Sequence, residues 1–141
     1  MKETLEKALR ARGIPLTHQR LAIYDRLMKS KDHPSAEDLY KALKPDYPSL
    51  SLATVYKTLQ TLQDVGLISL VNQPHAQARY DGITARHHHA ICESCGRIED
   101  VFDDRLDKLL LPAGAKGFQV STHSVHFRGL CAACAKHRRR E

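Results

Sequence analysis

The sequence predicts an α+β chain in two parts, a helical first half and a smaller second half of short strands. Three observations carry this reading. Apolar residues recur at helical spacing as far as Val65 and then give way to short β-like segments. The four cysteines form two Cys-x-x-Cys pairs, Cys92 with Cys95 and Cys131 with Cys134, both in the second half. Nine histidines accompany them, three in one run at His87-His88-His89. In a chain of 141 residues, two such parts have thin cores, where a bound metal or a dimer interface adds what packing lacks. Lys and Arg number 22 against 16 acids, for a net charge of +6. That balance suits a polyanionic partner, or simply a basic soluble surface. No apolar run approaches the ~20 residues that span a bilayer. The opening MKETLEKALRARG has no apolar signal core, so the expectation is a cytoplasmic protein with no membrane contact.

Leu5, Ala8 and Leu9 fall on one face of a first helix over residues 2–12, ended by Gly13 and Pro15. Thr17 caps a second helix whose apolar face is Leu21, Tyr24, Leu27 and Met28. Ser35 opens a third, with Glu37 and Asp38 in its first turn and Ala36, Leu39, Tyr40 and Leu43 as its buried stripe. Lys44-Pro45 breaks it. A fourth helix, from Ser51 to Val65, carries Leu52, Val55, Leu59 and Leu62 on one side. Its opposite face centres on Lys57, with Ala53, Thr54, Gln60 and Thr61 around it and Tyr56 on the flank; Gly66 closes it. Leu67–Val71 and Gln77–Tyr80 then read as strands joined by Asn72-Gln73-Pro74-His75. Three helices, a fourth with a polar outward face, and a hairpin are the parts of a winged helix-turn-helix. That fold would put the fourth helix in the major groove and Arg79, in the wing, beside the DNA backbone. A helical core whose fourth helix merely faces water is the competing reading; the charge and the hairpin favour DNA.

Residues 82–86 read as a hinge between a winged-helix domain over 1–81 and a second domain over 87–141. The second domain shows β-like segments at 89–92, 97–102 and 118–127 and a helix near 103–111. Its closing Lys136-His137-Arg138-Arg139-Arg140 reads as a solvated tail.

With no secretory signal the thiols stay reduced, and two Cys-x-x-Cys knuckles offer a tetrahedral four-thiolate zinc site. Gly96 supplies a tight turn that lets backbone N–H groups face the sulfurs. Such a site has no open position and is structural; a redox dithiol or unligated cysteines are the alternatives. In a strand, His87 and His89 share a face while His88 points the other way. Asp81, Asp100 and His33, the last in Asp32-His33-Pro34-Ser35, would complete a set of three imidazoles and two carboxylates. A sulfur-free N/O set suits Fe²⁺ or Mn²⁺ and leaves room for water or an oxidant. Each histidine alone also reads as a surface or hydrogen-bonded imidazole, and spacing does not bring the five together.

Thr17-His18-Gln19-Arg20, His33-Pro34-Ser35-Ala36-Glu37-Asp38-Leu39-Tyr40, Ser51-Leu52-Ala53-Thr54-Val55-Tyr56 and His87-His88-His89-Ala90-Ile91-Cys92-Glu93-Ser94-Cys95-Gly96 occur in that order. With Cys131-Ala132-Ala133-Cys134 they resemble the ferric uptake regulator (Fur) family across essentially the whole chain. The resemblance implies a homodimeric, metal-responsive transcriptional repressor rather than an enzyme. It would have a winged-helix DNA-binding domain, then a small α/β dimerisation domain, and a palindromic double-stranded DNA operator as partner, with no small organic substrate. By position it implies structural Zn²⁺ at Cys92, Cys95, Cys131 and Cys134. It also implies regulatory Fe²⁺ or Mn²⁺ at His33, Asp81, His87, His89 and Asp100. For DNA it adds Arg20, Ser51 and Tyr56 to the face of Ala53, Thr54 and Lys57 and to Arg79.

Iron-uptake regulators usually carry glutamates where this chain has Asp81 and Asp100. The two aspartates resemble the peroxide-responsive repressor (PerR) branch. That branch implies peroxide chemistry at bound Fe²⁺ that adds an oxygen atom to His33 or His87, with Mn²⁺ holding the DNA-competent form. Some members have a further metal site, near His88, Asp107 and His123 here. Its usual first histidine is Arg86 in this chain and its usual aspartate is His88, and a cation there disfavours another cation. Three other functions compete. An iron-, manganese- or zinc-responsive repressor without peroxide sensing differs only in the choice of carboxylates. A metal-dependent enzyme would need a pocket and a general base that no motif supplies. A thiol-redox switch would use the cysteine pairs.

Overall fold

The protein is described by a computed structural model covering residues 2–71, 77–82, 85–110 and 117–140. It divides into two compact units, residues 1–84 and 85–141. The expected hairpin turn at 72–75 lies outside the described residues, as do 83 and 84 of the expected hinge.

The first unit runs α1 (Lys2–Arg10), α2 (His18–Lys29), α3 (Ala36–Leu43), α4 (Leu52–Asp64), β1 (Ser69–Val71) and β2 (Arg79–Asp81). Its helices start where their caps stand. Thr17 Oγ1 accepts from the Arg20 N–H at 3.2 Å and Ser51 Oγ from the Thr54 N–H at 3.1 Å. Ser35 and Asp38 form a reciprocal capping box at 3.1 and 3.0 Å. Two of the helices end in Schellman motifs. Gly13, at φ 67°, lets its own N–H reach the Arg10 carbonyl and that of Ile14 reach Leu9. Gly66, at φ 77°, repeats this with Gln63 and Leu62. Leu5, Leu9, Ile23, Leu27, Leu39, Val55, Leu59 and Leu62 are buried in one core. Each such side chain contributes about 1.5–3 kcal/mol by leaving water.

The core departs from the expected faces in two helices. On α2 the buried residues are Ile23, Tyr24 and Leu27, and Met28 is 38% exposed. At 100° per residue Ile23 and Leu27 stack one turn apart, which puts Met28 on the flank. Tyr40 on α3 is half-buried, and Leu43 closes that stripe. The β1–β2 hairpin is antiparallel, pairing Ser69 with Asp81 and Val71 with Arg79.

The second unit is a three-stranded sheet with β3 (His88–Cys92) in the centre. β4 (Ile98–Val101) pairs with it antiparallel and β5 (His126–Gly129) parallel. Helices α5 (Asp104–Asp107) and α6 (Ala132–Arg139) complete it. Three expectations are corrected here. The helix expected over 103–111 is a single turn capped by the Asp103 carboxylate. The strand expected over 118–127 is reduced to β5, and 118–125 form no regular element. The basic tail is largely helix, because Ala132, Ala133 and Ala135 are strong helix formers. Lys136, His137, Arg138 and Arg139 sit in the last turn of α6, at the negative end of its dipole.

Candidate metal centres and DNA-binding face

The four cysteines converge within the second unit. Cys92 ends β3, Cys95 follows in the turn to β4, and Cys131 and Cys134 stand at the start of α6. Their sulfurs all lie within 4.8 Å of one another. Cys95 and Cys131 are 3.8 Å apart, which is no disulfide. It is the edge, roughly 3.8 Å, of a sulfur tetrahedron around a metal at ~2.3 Å. Gly96 adopts φ 77°, as the tight turn requires, and its N–H returns to the Cys92 carbonyl at 3.0 Å. The N–H groups of Cys131 and Cys95 donate to the Cys92 sulfur at 3.4 and 3.5 Å. These bonds lower the Cys92 pKa to about 6, so this sulfur is a thiolate at neutral pH. Cys134 is pushed up to about 12, chiefly by its hydrogen bond with Cys131. Four sulfurs in this arrangement can hold a tetrahedral divalent metal with no position left for substrate.

The histidines and carboxylates form a pair in the first unit and a triad in the second. In the first, His33 Nε2 and Asp81 Oδ2 are 3.3 Å apart, both buried. Asp81 is the last residue of β2, and His33 is held in the α2–α3 loop, where the Tyr80 N–H donates to the Pro34 carbonyl at 3.0 Å. The guanidinium of Arg79 donates through Nε to the His33 carbonyl and through Nη2 to that of Asp32.

In the second unit, His89 and Asp100 are cross-strand partners in β3 and β4. Asp100 Oδ1 lies 3.4 Å from His87 Nε2 and 3.5 Å from His89 Nε2, and the two rings meet edge to face at 4.7 Å. His87 Nδ1 donates to the Ala85 carbonyl at 2.7 Å. A carbonyl only accepts, so that bond places the proton on Nδ1 and leaves the Nε2 lone pair for a metal. Phe102 stacks on the same ring at 5.2 Å. Both groups offer imidazole nitrogen and carboxylate oxygen without sulfur, a donor set that fits Fe²⁺ or Mn²⁺.

His88, on the other face of β3, is fully buried. Its Nδ1 accepts from the Val125 N–H at 3.0 Å, so Nε2 carries the proton and donates to Asp107 Oδ1 at 2.8 Å. His123 Nε2 donates to the Leu106 carbonyl at 2.6 Å. Arg86 lies 3.5 Å from the other nitrogen of that ring and 3.3 Å from the Asp107 carbonyl. The ring nitrogens of both histidines are thus engaged with protein groups, and a guanidinium stands beside them.

On α4 the face opposite the core presents Ala53, Lys57 and Gln60 to solvent, as the wheel predicts, with Tyr56 exposed on its flank; Thr54 and Thr61, expected on the same face, are half-buried. Ser51 and Thr54 hydroxyls are joined at 2.8 Å at its N-terminus. The Tyr56 hydroxyl donates to the Glu37 carboxylate, which raises the Tyr56 pKa. Arg20 lies at the start of α2 and donates to the Pro15 carbonyl. Glu37 and the carbonyl clamp of Arg79 escape the sequence reading. Among the described residues no helix is long and apolar enough to cross a membrane.

A winged helix-turn-helix followed by a small sheet domain with four clustered thiols and His/Asp groups defines a metal-binding DNA regulator. The chain belongs to the ferric uptake regulator family, whose profile matches residues 11–128. It is 42% identical over 137 residues to a peroxide operon regulator of Bacillus subtilis, covering 96% of this chain and 94% of that protein. The solved Campylobacter jejuni peroxide stress regulator is 33% identical with a TM-score of 0.68, over 95% of this chain and 98% of the other. The Helicobacter pylori ferric uptake regulator shares the fold, with a TM-score of 0.77 at 24% identity over 94% and 90% of the two chains.

Proposed function

We propose that the chain is a metal-dependent transcriptional repressor that senses peroxide through oxidation of one of its own histidine ligands. The donor set carries this reading. His33 with Asp81, and His87 with His89 on one oxygen of Asp100, offer three imidazoles and two carboxylates free of sulfur. The names of the relatives point the same way. We assign residues 1–81 to DNA binding, 82–86 to a hinge and 87–141 to dimerisation. Cys92, Cys95, Cys131 and Cys134 would hold structural Zn²⁺, and the five N/O ligands regulatory Fe²⁺ or Mn²⁺.

A metal ligated from both groups would tie the two domains and so fix the spacing of two α4 helices in a homodimer. Exposed Phe118 and Phe127 of the second unit supply apolar surface for that dimer. Arg20, Ser51, Ala53, Thr54, Tyr56 and Lys57 would face a palindromic operator, in the cytoplasm. Ferrous iron, when bound, supplies the electrons that activate peroxide. The chain supplies the imidazole carbon of His33 or His87: one peroxide oxygen ends on it and the other leaves as water. An oxidised ring is a poorer ligand, so the operator is released. The histidine is consumed, which is sensing rather than turnover.

The test is to load the protein with Fe²⁺ anaerobically, add about one equivalent of peroxide, as one transfer per site requires, and digest with trypsin. The peptides Asp32–Lys41 and His87–Arg97 report the two rings. One added oxygen on His33 or His87, absent after Mn²⁺ loading, is expected. Unmodified peptides, with Fe²⁺ still promoting operator binding, would leave an iron-responsive repressor instead.

A further inference from the structure

We propose that Arg79 is a positioning residue for the ligand pair His33 and Asp81, tying the wing strand to the loop that carries His33. The proposal rests on the reading of those two residues as metal ligands. His33 needs such a tie. Its φ is 52°, the left-handed region that L side chains rarely adopt, and Pro34 after it narrows its choices further. Its ring is buried, so the backbone sets where Nε2 points.

The guanidinium addresses the problem directly. Nε donates to the His33 carbonyl and Nη2 to the Asp32 carbonyl. Those two carbonyls belong to the peptide planes on either side of the His33 Cα. One rigid fork that holds both planes therefore fixes φ and ψ of His33 together. The neighbouring Tyr80 N–H to the Pro34 carbonyl, at 3.0 Å, and the Ser35–Arg79 bridge extend the seam. Arg79 and Asp81 stand at i and i+2 on β2, so the clamp also sets the His33 ring against Asp81, 3.3 Å away. The consequence is a direct link between the wing and the metal ligands, in which a displacement of β2 displaces His33.

Arg79→Lys is the informative variant, because it keeps the charge and loses the two-pronged fork. The full-length, zinc-loaded protein is titrated with Mn²⁺, and amide exchange of the segment 30–36 is followed before Mn²⁺ is added. Expected are roughly tenfold weaker Mn²⁺ binding, as for loss of a hydrogen bond to a charged group, faster exchange of 30–36 and unchanged zinc content. His33→Ala, titrated alongside, separates the two levels of the argument. If it weakens Mn²⁺ binding while Arg79→Lys does not, the positioning role is wrong and the ligand reading stands. If neither variant changes Mn²⁺ affinity, the ligand reading fails and takes this proposal with it. Unchanged Mn²⁺ affinity with weak operator binding at saturation would make Arg79 a phosphate contact instead.

Discussion

The four-cysteine cluster and the imidazole–carboxylate groups are built on opposite plans. The cysteines come from one unit, at the end of a central strand and the start of a helix, and their backbone supplies N–H groups to the Cys92 sulfur. The N/O residues are divided, His33 and Asp81 in one unit and His87, His89 and Asp100 in the other. A site whose ligands belong to one small sheet is part of the fold. A metal held by residues of both units, as proposed above, could be gained or lost while both stay folded. That difference separates a structural ion from a signalling one.

The largest effect is expected at Cys92. Its sulfur is buried and accepts two backbone N–H groups at the point where β3 leaves the sheet. Cys92→Ser should abolish zinc retention and lower the melting midpoint of the second unit, read by metal analysis and by its part of the circular-dichroism melt. A variant with full zinc and an unchanged melt would mean that the cluster is not structural. Asp100→Ala sharpens the same contrast from the other side. It removes the carboxylate that both His87 and His89 approach, and should weaken Mn²⁺ binding roughly 10–100-fold, with zinc content and folding unchanged. Loss of zinc in that variant would show that the two sites are not independent.

How far the sequence reveals each plan follows from the range of the interactions. The caps at Thr17 and Ser35 and the Cys-x-x-Cys knuckles are local, and all stand where the sequence puts them. The outward face of α4 follows from periodicity alone. What stays hidden depends on distant partners or competing local signals. Helix α6 is masked because its first turn reads as a metal knuckle and its last as a basic tail. The segment 118–125 has strand-like residues but no strand beside it, since β3 pairs with β5 only from His126 onward. The Arg79 clamp joins residues 46 and 47 positions apart, so composition and spacing near Arg79 say nothing of it.

Acid provides a graded test. Folding of the metal-free second unit lowers the Cys92 pKa from 9.0 to about 6. A lowered value stabilises the folded form fully above the unfolded value, and the contribution fades as pH falls toward the folded one. Metal-free protein should therefore lose thermal stability of the second unit between about pH 9 and 6, while Cys92→Ser protein shows no such slope. An equal slope in both would assign it to other groups and remove the thiolate from the account.

The smallest effect is expected at the DNA face, remote in sequence from either set of cysteines. Glu37 places a carboxylate on the Tyr56 hydroxyl, beside a face proposed to meet phosphates. Glu37→Gln keeps the size of the side chain and removes its charge. The Tyr56 pKa, raised chiefly by that hydrogen bond, should fall back toward 10.0, seen in the ultraviolet titration of the phenolate. Operator affinity should rise by about two- to threefold at low salt and converge with the parent at high salt, where phosphate repulsion is screened. Zinc content and Mn²⁺ affinity should not move. A change in Mn²⁺ affinity without DNA present would show that α3 communicates with the His33 loop through its capping box, one residue before Ala36, and the face and the ligands would then have to be treated as a single element.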